Sequence, residues 1–549
     1  MKKGNKLIAI LLTLALILSM LAACSNKGNT EKNSNSPDSA GPSQQGTTEG
    51  KENASVGATS ENTSVLRDVV NVAMSTDNGT WDPFNHTGGA GMWGVYQSLG
   101  YIIDGEFYPS LMKSYSFSDD MKTVYCELFD NISDSNGVHM TADDIVWSYE
   151  MANAGTTAGL GSICEGCYAT GEYTFEFRLY DEMQVGRIDK MLKFFCVTRE
   201  SYEASPDNMA TTPVGTGPYK VTNITSGYSW TLERRDDYWQ TDASVNCFRD
   251  NANVQTINYY VISESAQRAI ALQNGTIDMV MELTAEDRES LANNKNYWFY
   301  AVPDDLSMDC VPNCDPSSPM GDINLRLAVF YAIDANAILQ SVYNGNGTLN
   351  HTLAPDWAVG YNPEWAEVDS YYTKQDVELA KEYLAKSNYN GEVLQIMCQT
   401  MEAHTTTAQL VMAFLNNIGI KCEIKALETS VFREYKKNAS EWDILINTDA
   451  CNTYWVDAAY GQLSTDRTDW GSSQNFVWDD ELEQMLRYTI SMSNATPENF
   501  DTLNTYILEH AYFYSLVNYH SFMTVPSWCE TVALSAKKNL VPGGCIYTE

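Results

Sequence analysis

The chain runs to 549 residues and carries 34 Lys and Arg against 71 Asp and Glu, a formal net charge of −37. So acidic a surface excludes nucleic acid and anionic membrane lipid as electrostatic partners. About 485 residues follow Ser64, too many for one hydrophobic core, and two or three lobes are expected.

Lys2, Lys3 and Lys6 precede an apolar run over residues 7–23 that only Thr13 and Ser19 interrupt, the charge-then-apolar order of an export signal. Leu21-Ala22-Ala23-Cys24 closes the run and reads as a lipobox, so residues 1–23 are expected to be a signal peptide and Cys24 the lipidated first residue. The alternative is an uncleaved anchor, since the run is close to the ~17 residues that span a bilayer. Small residues immediately before a Cys favour processing. More than one acyl chain on Cys24 gives stable attachment, where a single chain is marginal. Residues 25–64 hold no aromatic, Leu, Ile or Met and cannot build a core, so 24–64 is expected to be a disordered tether. Its root-mean-square reach is about 35 Å.

Residues 69–74 read as an apolar strand, followed by the polar loop Ser75-Thr76-Asp77-Asn78-Gly79-Thr80-Trp81. Gly88-Gly89-Ala90-Gly91-Met92-Trp93 lacks the lysine of a phosphate loop and reads as a helix entry or a close approach of backbone to ligand. Thr141-Ala142-Asp143-Asp144 has the form of a capping box opening a helix that buries Ile145, Tyr149 and Ala152. Residues 173–179 and 229–233 alternate as half-buried strands. Between them, Pro213-Val214-Gly215-Thr216-Gly217-Pro218-Tyr219 has the glycines of a dinucleotide loop, but a strand follows where that loop needs a helix. The block is expected to set a turn.

A strand at 256–261, a helix at 266–274 stopped by Gly275 and a strand at 277–280 form one β-α-β unit. A longer unit begins with a strand at 393–398 and a helix at 405–418, whose buried stripe is Ala408, Val411, Met412, Leu415 and Ile418, with Gly419 as its stop. A strand at 420–424, a short helix at 431–437 and a strand at 443–447 follow. This order implies parallel strands and a separate α/β core in each lobe.

In open parallel sheets, ligands bind beyond the carboxyl ends of the strands. That rule selects Thr76, Asp77 and Trp81 after the first strand, Gln399 and Glu402 after 393–398, and Asp449, Asn452, Tyr454, Trp455 and Asp457 after 443–447. The last loop offers carboxylates for a ligand ammonium and aromatic planes for its side chains. Trp81, Trp93, Trp357, Tyr454, Trp455 and Trp470 are the aromatic candidates, and burial in the core is the commoner fate of each.

Twelve cysteines remain besides Cys24, an even number that export permits to pair. Cys164 with Cys167, or Cys310 with Cys314, are the expected local bridges, whereas Cys398 and Cys422 sit in alternating apolar runs as small hydrophobes. The two close pairs lack a nearby His to complete a zinc site, and neither metal nor cofactor is expected. The six His form no metal-spaced pair, and neither Gly-x-Ser-x-Gly nor Ser-x-x-Lys occurs in a matching context, so no catalytic residue is assigned. A secreted hydrolase working through paired carboxylates, which leave no sequence signature, is the competing class.

Several blocks carry a resemblance. They are Trp81-Asp82-Pro83, the run Ser135-Asn136-Gly137-Val138-His139-Met140-Thr141-Ala142-Asp143-Asp144, and the stretch from Thr212 through Pro213-Val214-Gly215-Thr216-Gly217-Pro218-Tyr219 to Arg234-Arg235-Asp236-Asp237-Tyr238-Trp239. Further on come Arg268-Ala269-Ile270-Ala271-Leu272-Gln273-Asn274-Gly275 and Asn324-Leu325-Arg326-Leu327-Ala328-Val329. Together they resemble the signature segments of the family 5 extracellular solute-binding proteins, the dipeptide and oligopeptide receptors of bacterial ABC importers. The resemblance implies a two-lobed α/β periplasmic-binding-protein-like fold of type II, large cluster C, with an extra subdomain inserted in the first lobe. Lobe I is expected at 65–108, 211–302 and 513–549, the insert at 109–210 and lobe II at 303–512.

The resemblance further implies a non-catalytic receptor held by lipid on the extracytoplasmic face of the cell membrane, which takes an oligopeptide and passes it to ABC permease subunits. Oligosaccharide is the alternative ligand. In the family's dipeptide receptors an Asp-Asn-Gly-Asp-Pro-like loop holds the ligand amino group. That motif is missing here; Asn452 falls near the expected Asp, with Asp449 and Asp457 on either side as alternative ammonium partners.

Overall fold

The computed structural model describes residues 64–549 except 87–88, 90, 104–105, 156–159, 162, 243–246, 248–249, 292, 351, 355–357, 359–360, 368–370, 451–459, 465–474 and 535–539. The expected signal peptide and tether lie outside these residues, apart from Ser64. Strand β1 (Arg67–Met74) alternates, with Val70, Val72 and Met74 turned into one core and Ala73 into another. Both faces of this sheet are therefore covered, as parallel strands require. Each fully buried aliphatic side chain contributes roughly 1.5–3 kcal/mol relative to exposure.

After a hairpin of β2 (Gly100–Ile103) and β3 (Glu106–Pro109), the chain builds a separate antiparallel sheet from β4 (Met112–Phe117), β5 (Thr123–Leu128), β6 (Cys164–Ala169) and β7 (Thr174–Leu179), in the order β4-β5-β7-β6. The helix Ala142–Ala154 packs on this sheet. It opens with the capping interaction its sequence predicts, the Asp144 carboxylate accepting the Thr141 N–H at 2.8 Å. Ile145, Tyr149 and Ala152 are buried beneath it, with the Tyr149 ring 5.7 Å from Phe177.

The chain then returns to the sheet of β1 through β8 (Tyr219–Thr225), β9 (Ser229–Arg234), β10 (Val254–Val261) and β11 (Met279–Leu283), with β10 and β11 parallel to β1. The turn at 213–218 feeds β8 as expected. A Cβ on Gly215 would lie 2.1 Å from the Val95 carbonyl oxygen, and one on Gly217 would lie 2.5 Å from that of Gly94, so neither position has room for a side chain. Arg235 fixes the same turn by donating to the carbonyls of Gly217 at 3.1 Å and Asp134 at 2.8 Å.

The chain continues into the other lobe through β12 (Tyr297–Pro312), β13 (Gly347–Leu349), β14 (Val393–Gln399), β15 (Lys421–Leu427) and β16 (Ile444–Ala450), and returns through β17 (Tyr514–Pro526). Strands β15, β14 and β16 are mutually parallel, as the β-α-β-α-β order predicts. Leu394, Ile396 and Cys398 face one core while Met397 faces the next. The helix observed at Glu402–Asn417 begins three residues before the expected start, with Met401 as its N-cap.

All these strands join in one sheet of order β15-β14-β16-β12-β17-β11-β1-β10-β9-β8, with β13 also paired to β17. Strands β12 and β17 form a long antiparallel ribbon common to both lobes, and the expected boundary at 302–303 falls inside β12. A final pair, β18 (Cys529–Thr531) and β19 (Ile546–Tyr547), closes the chain.

The local disulfides expected at Cys164–Cys167 and Cys310–Cys314 are absent; all four thiols are free. Cys164 and Cys167 lie on β6, opposite Leu179 and Phe177 of β7 with a bulge between them, and that pairing fixes both backbones. Cys310 is likewise locked in β12, which runs extended to Pro312 and carries Cys314 away from it. Burial pushes the Cys164 thiol up to about 12 and that of Cys314 up to about 11, so both stay protonated. Cys398 and Cys422 are free thiols as expected, the first fully buried and the second half-buried.

Candidate functional site

Strand register locates the cleft. The carboxyl end of β16 pairs with β12 at Leu306, while the carboxyl end of β11 pairs with β17 at Phe522, itself opposite Ala301 of β12. The parallel strands of both lobes therefore point their carboxyl ends at the middle of the β12–β17 ribbon. There the pairing is irregular: Pro303 faces His520 but Ser307 faces Asn518, so β12 holds extra residues at that point. Such a bulge bends a ribbon.

On the first lobe's rim, Thr76 is exposed and the half-buried Asp77 accepts the Gly227 N–H at 2.6 Å. Trp81 is only 2% exposed and meets Trp230 edge-on at 6.1 Å. It is a core side chain in this structure, as is Trp93. On the second rim, Gln399 accepts a hydrogen bond from Thr429 at 2.9 Å and Glu402 is exposed. Glu428, also exposed, accepts from Thr400 at 3.3 Å. Asp449 closes on the ribbon through its backbone, opposite Ser307. Its side chain lies outside the described atoms, and Asn452, Tyr454, Trp455, Asp457, Trp357 and Trp470 lie outside the described residues.

Besides Glu428, two residues enter the site that the sequence reading passed over. Glu282, near the carboxyl end of β11, is exposed, receives the Ser75 hydroxyl and sits at φ 62°, in the left-handed region. A non-glycine residue held there costs of order 1–3 kcal/mol and persists only where the surrounding structure constrains it. The carboxyl-end rule, applied to the strand read at 277–280, points to this residue.

Arg268 secures it. Its guanidinium donates to the carbonyls of Ile262 at 2.6 Å, Ser263 at 2.8 Å and Glu282, tying the ends of β10 and β11 together. His404 is the second: it extends the Ala408, Val411, Leu415 stripe by one turn and is buried. One ring nitrogen lies 3.4 Å from the Thr448 hydroxyl on β16, and Nδ1 has no partner among the described residues. Burial lowers its pKa from the usual histidine value.

Below the rims, Asp309 on β12 accepts from Ser307 and Ser515, both at 2.8 Å, and Asn518 donates to the Leu306 carbonyl at 2.9 Å. The ribbon is thus pinned by buried polar groups on the lobe II side of its irregularity. The rims offer carboxylates from both lobes, while Arg268 is engaged with backbone. Such a surface is fitted to ligand N–H and ammonium groups. Among the described residues no group of His, Cys, Asp and Glu is arranged to hold a metal ion.

Two lobes joined by a bulged ribbon, with strand ends converging on it, define a solute-binding protein of the hinged, two-lobed type. Residues 106–471 match the bacterial extracellular solute-binding proteins, family 5 Middle, and the chain belongs to that family. Over 400 residues it is 23% identical to the dipeptide-binding protein DppE of Bacillus subtilis (strain 168), covering 66% of this chain and 68% of that one. Its fold matches the ABC transporter substrate-binding protein CtaP from Listeria monocytogenes with a TM-score of 0.75 at 17% identity, over 88% of this chain and 100% of that one. The oligopeptide-binding protein AppA from Bacillus subtilis, in complex with a nonapeptide, matches with a TM-score of 0.68 at 16% identity, over the same shares of 88% and 100%.

Proposed function

We propose that this protein captures oligopeptides between its lobes and delivers them to an ABC permease, without chemical change, from the outer face of the cell membrane. The observation that carries the reading is the convergence of both sets of carboxyl strand ends on the β12–β17 ribbon, between rims bearing Asp77, Glu282, Glu402 and Glu428. A peptide brings an ammonium terminus and a row of N–H donors, the groups such rims accept. The named ligands of DppE and AppA agree with that chemistry.

In this reading Asp449 or Asp457 meets the ammonium, with Asn452 beside them, and Tyr454 and Trp455 supply apolar planes. Lobe I comprises 65–108, 211–302 and 513–549, the insert 109–210 and lobe II 303–512. Cys24 carries the lipid and residues 24–64 form the tether.

The test is calorimetric titration with a peptide pool and, separately, an oligosaccharide panel, followed by recovery of the bound molecule. Peptide binding, intact recovery and a smaller radius of gyration in solution scattering support the reading. Sugar binding alone transfers the site to the other ligand class, and a cleaved ligand transfers the protein to the hydrolases.

A further inference from the structure

The carboxyl-terminal segment holds a pair of thiols unlike the others. Cys529 and Cys545 are both fully buried free thiols, and the Cys529 thiol donates to the Thr531 carbonyl at 3.6 Å. Strand pairing brings them together: Cys529 faces Tyr547 across β18–β19, and Cys545 immediately precedes β19. The Cys545 sulfur also accepts the Ala533 N–H at 3.4 Å and lies 3.5 Å from the Val541 carbonyl, which holds it on the side of β18. The thiols of the inserted subdomain are placed differently. Cys126 faces Phe175 and Cys167 faces Phe177, so β7 stands between them and separates their strands by roughly 10 Å.

We propose that Cys529 and Cys545 are joined by a disulfide in the mature protein. The inference rests on the extracytoplasmic location of the family, where such bonds persist. The bond forms while the 529–545 segment is still open. The thiolate of one cysteine attacks the disulfide of an extracytoplasmic thiol oxidant, releasing one oxidant thiolate. The second cysteine, as thiolate, attacks the resulting mixed disulfide and releases the other. The cysteine pair loses two electrons and two protons, and the oxidant is reduced to its dithiol.

The bond staples the end of the chain to the start of β1. Val65 N–H donates to the Tyr547 carbonyl at 3.0 Å, Tyr547 N–H to the Ser64 hydroxyl at 2.9 Å, and the Asn253 side chain to the Cys545 carbonyl at 2.9 Å. The start of β1 is therefore gripped by a segment that the disulfide closes on itself.

The experiment is thiol mapping of the full chain exported by its own leader. The protein is denatured without reductant, alkylated, digested and analysed by mass spectrometry. The expected product is a cross-linked peptide pair containing Cys529 and Cys545, two hydrogens lighter than the separate peptides, with the remaining described cysteines alkylated. A parallel sample is reduced, unfolded and refolded in oxidised glutathione. Pairing there, in a chain isolated reduced from the cell, supports the bond and counts against the location. Alkylation of both residues in both samples, or a bridge from either to another cysteine, overturns the proposal. Reductant should also lower the Tm of the wild type but not that of the Cys529→Ser, Cys545→Ser double variant; an equal reductant effect on the two overturns it as well.

Discussion

Arg268 donates to the main-chain carbonyl of Glu282 and holds that residue at φ 62° on the lip of the cleft. The arginine acts on backbone, so its loss strands three carbonyls at the ends of β10 and β11. Arg268→Ala should lower the unfolding free energy by about 2–4 kcal/mol, read by denaturant titration. A change below about 0.5 kcal/mol, the level of ordinary surface substitutions, would contradict the clamp.

Glu282→Gly separates strain from function. Glycine adopts positive φ without penalty, so the variant should be as stable as the wild type or more stable by about 1 kcal/mol. Its affinity for an established ligand should fall. Lower stability with unchanged affinity would make Glu282 a structural residue and not part of the rim.

The turn at 213–218 gives a steric prediction. Gly215→Ala and Gly217→Ala place a methyl against the carbonyls of Val95 and Gly94 and should each cost about 1–3 kcal/mol. Gly161→Ala, with nothing among the described residues within 4 Å of the added carbon, is the neutral control. Equal Tm values for all three would dismiss the close approach.

These residues also explain what was legible in the sequence. Arg235, Arg268 and Arg326 each sit in a block that carried the family resemblance, and each spends its guanidinium on carbonyl groups; Arg326 holds Met320, Gly321 and His510 at 2.9 Å. The recognisable blocks are clamps and turns, which is why fold class and family could be read with no ligand in view. The paired α/β units were legible for a second reason, the two-residue and three-to-four-residue spacing of Val70, Val72 and Met74 and of Ala408, Val411 and Leu415.

The ribbon was not legible. In β12, Pro303 and the adjoining Asp304 and Asp305 interrupt the apolar pattern, whereas long-range pairing with β17 carries the strand through the boundary that the family resemblance implied at 302–303. Cysteine spacing misled for a related reason, since closeness along an extended strand is distance in space. The proposed ligand loop at 449–457 departs from the family pattern, so no sequence signal selects among its carboxylates.

His404 supplies a pH prediction. Burial lowers its pKa below the usual 6.5, so the unfolded chain takes up the proton first as pH falls. Its contribution to stability is complete above that value and is lost as pH drops from 6.5 toward the folded value. Denaturation measured at steps from neutral pH downward should show this loss in the wild type and a smaller one in His404→Gln. Parallel curves for the two proteins would contradict a neutral buried histidine.

Cys24→Ala should abolish incorporation of labelled fatty acid and leave the leader uncleaved by the lipoprotein peptidase. Labelling that persists in the variant would remove the lipid anchor at that position.

The position of the ligand can be measured. A peptide carrying a photoreactive group and a free amino terminus, bound to the wild-type protein and irradiated, reports this directly when the cross-linked residues are sequenced. The strand-end geometry predicts attachment within 75–77 and 282–284 on one side and 399–404 and 448–457 on the other, suppressed by unlabelled peptide. Specific, competable attachment confined to the outer faces of the lobes, or to the inserted subdomain, would contradict it.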